Sequence, residues 1–136
     1  MIPERYAPMA YALFRIVFGL IFFMFGMQKL AGWFGGQTAP IMSMFGAAGV
    51  IETVCGLLIM TGFFVRPAAF LASGEMAYAY IVEHWKFRFD EGFFPAKNRG
   101  ELAFLYCFLF LFMACKGSGI LSVDRLLARS RRSKAP

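Results

Sequence analysis

Six ionisable residues stand out because of the apolar sequence around them. Arg15, Lys29, Glu52 and Glu75 interrupt hydrophobic runs, while His84 and Glu101 stand at the two feet of a polar interval between such runs. A charge in hydrocarbon costs about 2.5–3.5 kcal/mol on the translocon scale, so it needs a partner, a proton or water. Carboxylates set among ammonium and guanidinium groups can meet that need in two ways. They can neutralise one another and pin helix packing, or they can line a polar cavity for a small ligand, a quinone head group or protons. Residue types alone leave both readings open. His84 is the chain's only histidine and is read as a rim group that hydrogen-bonds or accepts a proton. A metal site is not expected, because a metal needs several ligands in defined geometry and no second histidine stands at helical spacing.

The composition says what kind of element carries these groups. The 136 residues suit one domain, yet 60% are hydrophobic, 16% are charged and 18 are Phe. Soluble domains keep about a quarter of their residues charged, so this chain lacks the polar residues to cover a surface in water. Lipid is the expected solvent. The net charge of +6 is concentrated late, in Arg125, Arg129, Arg131, Arg132 and Lys134. Without a soluble basic face to track a phosphate backbone, nucleic acid is excluded as a partner, and the tail is read as meeting an anionic lipid surface. Cys55, Cys107 and Cys115 lie in apolar runs without a C-x-x-C pair and read as small hydrophobes.

The expected fold is an all-α integral membrane protein: a four-helix transmembrane bundle, with both termini cytoplasmic. Apolar runs place the spans at about 9–30, 44–63, 67–84 and 101–119, followed by a basic cytoplasmic tail at 120–136. A cleaved signal peptide in the first run is disfavoured, because Gly26-Met27-Gln28-Lys29 is a poor cleavage site. In span one, Arg15, Gly19, Phe22, Gly26, Lys29 and Trp33 form one helical stripe. Its glycines permit close helix approach, and its charges would face the interior. Gly49, Glu52 and Gly56 form a matching face in span two. In the tail, Ser122 and Asp124 are expected to cap and open a short surface helix, Val123–Arg131.

With alternating spans, Glu52 sits about 12 Å below the outer end of its helix at 1.5 Å per residue. Lys29, Glu52, Glu83, His84 and Glu101 are then expected to converge in the outer half, with Glu75 beneath them and Arg15 deeper but within reach of the carboxylates. Basic residues are more numerous on the side of the termini, which makes that side cytoplasmic. The interval between spans three and four holds Trp85, Phe87, Phe89, Phe93 and Phe94 and reads as an interfacial loop that caps the helices. Phe93, Phe94, Pro95 and Asn98 form this loop cap, and Asn98-Arg99-Gly100 is expected to cap span four.

Taken in order, several short motifs are specific together. They are Arg15 with Gly19; Gly26-Met27-Gln28-Lys29-Leu30 with Gly32-Trp33-Phe34-Gly35-Gly36; Glu52 before Gly56-Leu57-Leu58 and Gly62; and Arg66-Pro67-Ala68-Ala69. Ala77-Tyr78-Ala79-Tyr80, His84, Gly92-Phe93-Phe94-Pro95, Asn98, Gly100-Glu101-Leu102-Ala103, Leu105-Tyr106, Ser122 and Asp124 complete them. On these residues the chain resembles the DoxX family of small four-helix bacterial membrane proteins. It departs at Phe25, where many relatives carry histidine, and at Arg99, where a small residue is usual. The resemblance implies the bundle fold, a multi-pass location in the bacterial cytoplasmic (inner) membrane, and an accessory place in a membrane-associated oxidoreductase or quinone-linked complex. The chain itself shows no catalytic motif, haem-ligand pairing or dinucleotide fingerprint, so no cofactor is expected in it beyond contact with a quinone. Membrane or peripheral redox proteins and a second copy of the chain are the expected partners. Two alternatives stand beside this reading: a small-molecule or proton carrier using intramembrane carboxylates, and a membrane assembly or chaperone-like protein using the greasy loop.

Overall fold

The computed structural model describes residues 3–133, so Lys134 of the basic tail lies outside the described residues. Among them the regular structure is all helical. The long helices are α1 (Ala7–Ala31), α2 (Met44–Thr61), α3 (Val65–Ala79) and α5 (Glu101–Lys116). A short α4 (Pro95–Asn98) lies in the loop, and α6 (Val123–Ser133) ends the described chain. A π-helical turn, Tyr80–Trp85, continues α3. The helix expected at about 101–119 thus ends at Lys116, because Gly117 breaks it at φ 85°.

The helix boundaries follow local chemistry. Ser43 caps α2 by accepting a hydrogen bond from the Gly46 amide at 3.0 Å. Gly32 and Gly62 end α1 and α2 in the left-handed conformation that glycine adopts without a Cβ penalty. In α6, Ser122 Oγ accepts from the Arg125 amide at 3.3 Å, and Asp124 occupies the first turn. The tail is therefore a helix that begins where capping chemistry placed it.

The α1–α2 contact is a backbone approach. A Cβ on Gly19 would stand 2.5 Å from the Met60 nitrogen. One on Gly56 would strike the Phe23 nitrogen. The buried residues of α1 include Arg15, Gly19, Phe22 and Gly26, and those of α2 include Gly49, Glu52 and Gly56. These are the faces read from the residue spacing, except at Trp33, which lies beyond the end of α1 and is exposed. α3 meets α5 through Ala68, Ala69, Ala72 and Ser73, and the Ser73 hydroxyl donates to the Cys107 carbonyl at 2.7 Å. α1 meets α5 across larger side chains, with Phe22 on Phe110 at 4.6 Å between ring centres and on Tyr106 at 6.0 Å. α2 also packs on α3. Each of the four long helices therefore touches two others, and the core lies between them.

The outer faces are apolar as well. Leu13, Val17, Val54, Leu57, Phe70, Leu105, Phe108 and Phe112 are all exposed. Two helices, Glu4–Ala31 and Met44–Thr61, are long and apolar enough to cross a membrane.

Candidate functional site

The sequence-derived polar set divides into three groups in the fold. Lys29, Glu52 and Glu75 stay together. Lys29, in the last turn of α1, faces the first half of α2 because the two helices run antiparallel. Its Nζ donates to Glu52 Oε1 at 2.6 Å and lies 4.8 Å from the centre of the Phe45 ring. Glu52 is 2% exposed and Lys29 20%, so the pair is dry on the carboxylate side. Glu75, on α3, lies within electrostatic reach of both. Among the described residues its two oxygens are buried without a hydrogen-bond partner, and so is Glu52 Oε2. Buried polar atoms almost always find partners. Glu52 Oε2 and both Glu75 oxygens are exceptions here.

Lys29 and Glu75, but not Glu52, line a groove of about 580 Å³ between α2 and α3. Phe45, Ala48 and Ile51 form one wall; Phe70, Gly74 and Tyr78 form the other; Lys29, Glu75 and Glu83 supply the polar lining. Phe70 and Phe45 are exposed at its mouth, so the groove opens sideways, across the apolar flank of the helices. A Cβ on Gly74 would meet nothing within 4 Å. Small residues at Ala47, Ala48 and Gly74 thus leave space where larger side chains would fill it. That pattern was the signal in the sequence for a groove, together with Glu83 and the aromatic walls. The charged residues alone did not reveal it.

Arg15 does not join this site, contrary to the sequence expectation. Its guanidinium donates to the carbonyls of Ile59 (2.7 Å), Met60 (2.9 Å), Leu121 (2.7 Å) and Ile120 (3.4 Å). Antiparallel packing brings Arg15, near the start of α1, to the end of α2. The last carbonyls there have no intrahelical donor and carry the negative end of the helix dipole. Arg15 satisfies them with no carboxylate involved, and it ties α1 and α2 to the segment before α6.

His84 and Glu101 also lie apart from the groove. His84 Nδ1 is 3.3 Å from the Asn98 carbonyl, within the loop. Glu101 is exposed at the start of α5 and forms no salt bridge among the described residues. Glu83, beside His84 in the π-helical turn, lines the groove, while His84 faces the loop.

The loop is organised by Asn98 and by Tyr80, a motif residue to which the sequence reading gave no role in the loop. Asn98 Nδ2 donates to the Gly92 carbonyl at 2.9 Å and to Tyr80 Oη at 3.3 Å, and its Oδ1 accepts from the Gly100 amide at 2.8 Å. The Tyr80 hydroxyl donates to the Phe93 carbonyl at 2.5 Å. Asn98 therefore closes the turn and does not cap α5, whose N-cap is Gly100 with no side-chain bond. Trp85 packs at a tilt on Phe87 and edge-to-face on Phe89 and Phe93. Phe94 packs on Phe93, and Pro95 opens α4. This cap sits on the end of α3 and the start of α5. It contributes no residue to the groove lining, so it does not close over Lys29 and Glu52. Arg99 holds a left-handed φ of 60°, a conformation that costs a side-chain-bearing residue more than glycine.

Outside the spans, Asp90 is held below the usual carboxylate range. The Arg88 guanidinium donates to it at 3.0 Å, and the Gly92 amide donates at 2.8 Å.

The profile of the DoxX family matches residues 10–85. A protein from Haemophilus influenzae, described as an uncharacterized protein, is 41% identical over 125 residues, which covers 89% of this chain and 92% of its own length. No solved structure matches the chain. The class is that of a helical membrane protein, defined by apolar helices with apolar outer faces. Within that class the chain belongs to the DoxX family.

Proposed function

We propose that the protein is a multi-pass protein of the bacterial cytoplasmic membrane that binds a lipid-soluble small molecule in the α2–α3 groove, as an accessory subunit of a quinone-linked oxidoreductase. The observation that carries this reading is Glu75, whose orphaned carboxylate stands in an apolar groove open to the side. A ligand with an apolar tail and a hydrogen-bonding head enters such a groove from the bilayer, and Glu75 holds the head. The hydroxyls of a quinol suit it as donors, and the ring suits the aromatic walls. A bound quinone would supply the redox chemistry, and this chain would supply binding and orientation.

The four long helices are read as four spans with both termini cytoplasmic. Val65–Trp85 forms a continuous rod of about 30 Å at 1.5 Å per residue, enough to cross a bilayer. α5 is shorter, and local bilayer thinning accommodates it. Arg5, Arg66, Lys116 and the α6 arginines gather at one end, which favours that end as the cytoplasmic one.

Purification in mild detergent followed by lipid extraction and identification of co-purifying proteins tests the reading. A quinone retained by the native chain and lost from Glu75→Gln is the expected result. Absence of both quinone and a redox partner refutes it. A carrier role is the second reading, favoured by the same unpaired carboxylates. It requires Glu75→Gln or Glu52→Gln to abolish proton or solute flux into vesicles, and unchanged flux rejects it.

A further inference from the structure

We infer that the crevice between α6 and the C-terminal end of α2 binds the phosphate head group of an anionic phospholipid. The crevice has a volume of about 430 Å³ and is lined by Thr61, Leu121, Leu126, Arg125 and Arg129 among others. Arg125 and Arg129 are one helical turn apart, so both guanidiniums reach the same space. Among the described residues no carboxylate lies within salt-bridge distance of Arg125, Arg129, Arg131 or Arg132. Asp124, the one acid of α6, is engaged by the Ser118 hydroxyl and by the Phe64 amide at 3.3 Å. The two crevice arginines therefore keep their charge for an external anion.

The position of the helix selects the source of that anion. The start of α6 is fastened at the level where the long helices end. The Asp124 amide donates to the Gly62 carbonyl at 3.1 Å, and Arg15 donates to the Leu121 carbonyl at 2.7 Å. Leu121 and Leu126 are 59% and 64% exposed. They continue the apolar flank of α2, where Leu57 and Val54 are also exposed. A phosphodiester carrying acyl chains satisfies both halves of this surface, with head against arginine and chains along α2. Free phosphate satisfies only one. Guanidinium groups suit a phosphate by forming paired, charge-assisted hydrogen bonds.

The inference rests on the protein lying in a membrane and is independent of what the α2–α3 groove holds. The full-length protein, purified in mild detergent, is offered phosphatidylglycerol or phosphatidylcholine, and retained lipid is counted by native mass spectrometry. The native chain is expected to retain phosphatidylglycerol preferentially. Arg125→Gln with Arg129→Gln lowers that retention about tenfold or more, the effect of losing charged hydrogen bonds. Arg131→Gln with Arg132→Gln removes the same charge and leaves retention within about twofold if the crevice, rather than net charge, binds the lipid. Excess inorganic phosphate leaves the lipid in place. Equal losses in the two double variants, no preference between the lipids, or displacement by inorganic phosphate would each overturn the assignment. All these side chains are exposed, and helical circular dichroism verifies that both variants fold.

Discussion

Breaking the Lys29–Glu52 pair from its two sides is expected to give unequal losses. Lys29→Met leaves Glu52, 2% exposed, without its cation. Glu52→Gln leaves Lys29, which is 20% exposed and lies in the last turn of α1, so its ammonium can move toward the helix end and water. Removing one member of a buried pair typically costs about 3–5 kcal/mol. A ceiling applies on the carboxylate side, because neutralising an ordinary carboxylic acid of pKa about 4.3 at pH 7 costs about 3.7 kcal/mol. We therefore expect Lys29→Met to lose about 3 kcal/mol and Glu52→Gln about 1 kcal/mol. The double variant should return near the Glu52→Gln value, with a coupling of about 3 kcal/mol. Chemical unfolding in mild detergent, followed by helical circular dichroism, reads all three. Glu52→Gln proving as damaging as Lys29→Met, or additive losses in the double variant, would refute the asymmetry argued from burial.

Four further outcomes follow from the geometry. Arg15→Met should lower stability by about 2–4 kcal/mol by stranding the α2 carbonyls. Arg15→Lys should recover only part of this in the same unfolding assay, because one ammonium cannot span both sets of carbonyls. Gly19→Ala should cost about 1–3 kcal/mol or more, since the added methyl meets the Met60 backbone; a neutral result would mean that the helices can separate freely. Tyr80→Phe should cost about 1 kcal/mol and speed proteolytic cleavage within Lys86–Arg99, with the groove unaffected. The turn at Asp90 is supported by the ionised carboxylate, whose pKa is depressed in the folded loop. That support is complete above the ordinary aspartate value and is lost as pH falls through the lower, folded value. The Gly92 amide resonance should report the loss on acidification, and Asp90→Asn should blunt the transition.

Much of the fold was legible because helical periodicity reports the direction in which a residue faces. The 4-3-4 spacing of Arg15, Gly19, Phe22 and Gly26 put them on one side of α1, and they are buried there. The same reasoning placed Gly49, Glu52 and Gly56 and brought Lys29 to Glu52. The cap at Ser122 was legible because capping is local chemistry within a few residues.

The groove and the division of the polar set depended on tertiary structure. Periodicity specifies the angle around a helix, but not the height at which a neighbour meets it or what that neighbour offers there. Arg15 was correctly placed inward, yet its partners are the backbone carbonyls at the end of α2 and the turn before α6. Those acceptors exist at every helix end and leave no mark in side-chain identity. His84 and Glu83 are neighbours in sequence, but one reaches the loop and the other the groove. By itself the sequence determined that charges face inward in an apolar, helical chain. The antiparallel register decided which charges meet, because each is satisfied by whatever donor or acceptor its neighbour presents at that level. It left Glu75 with none.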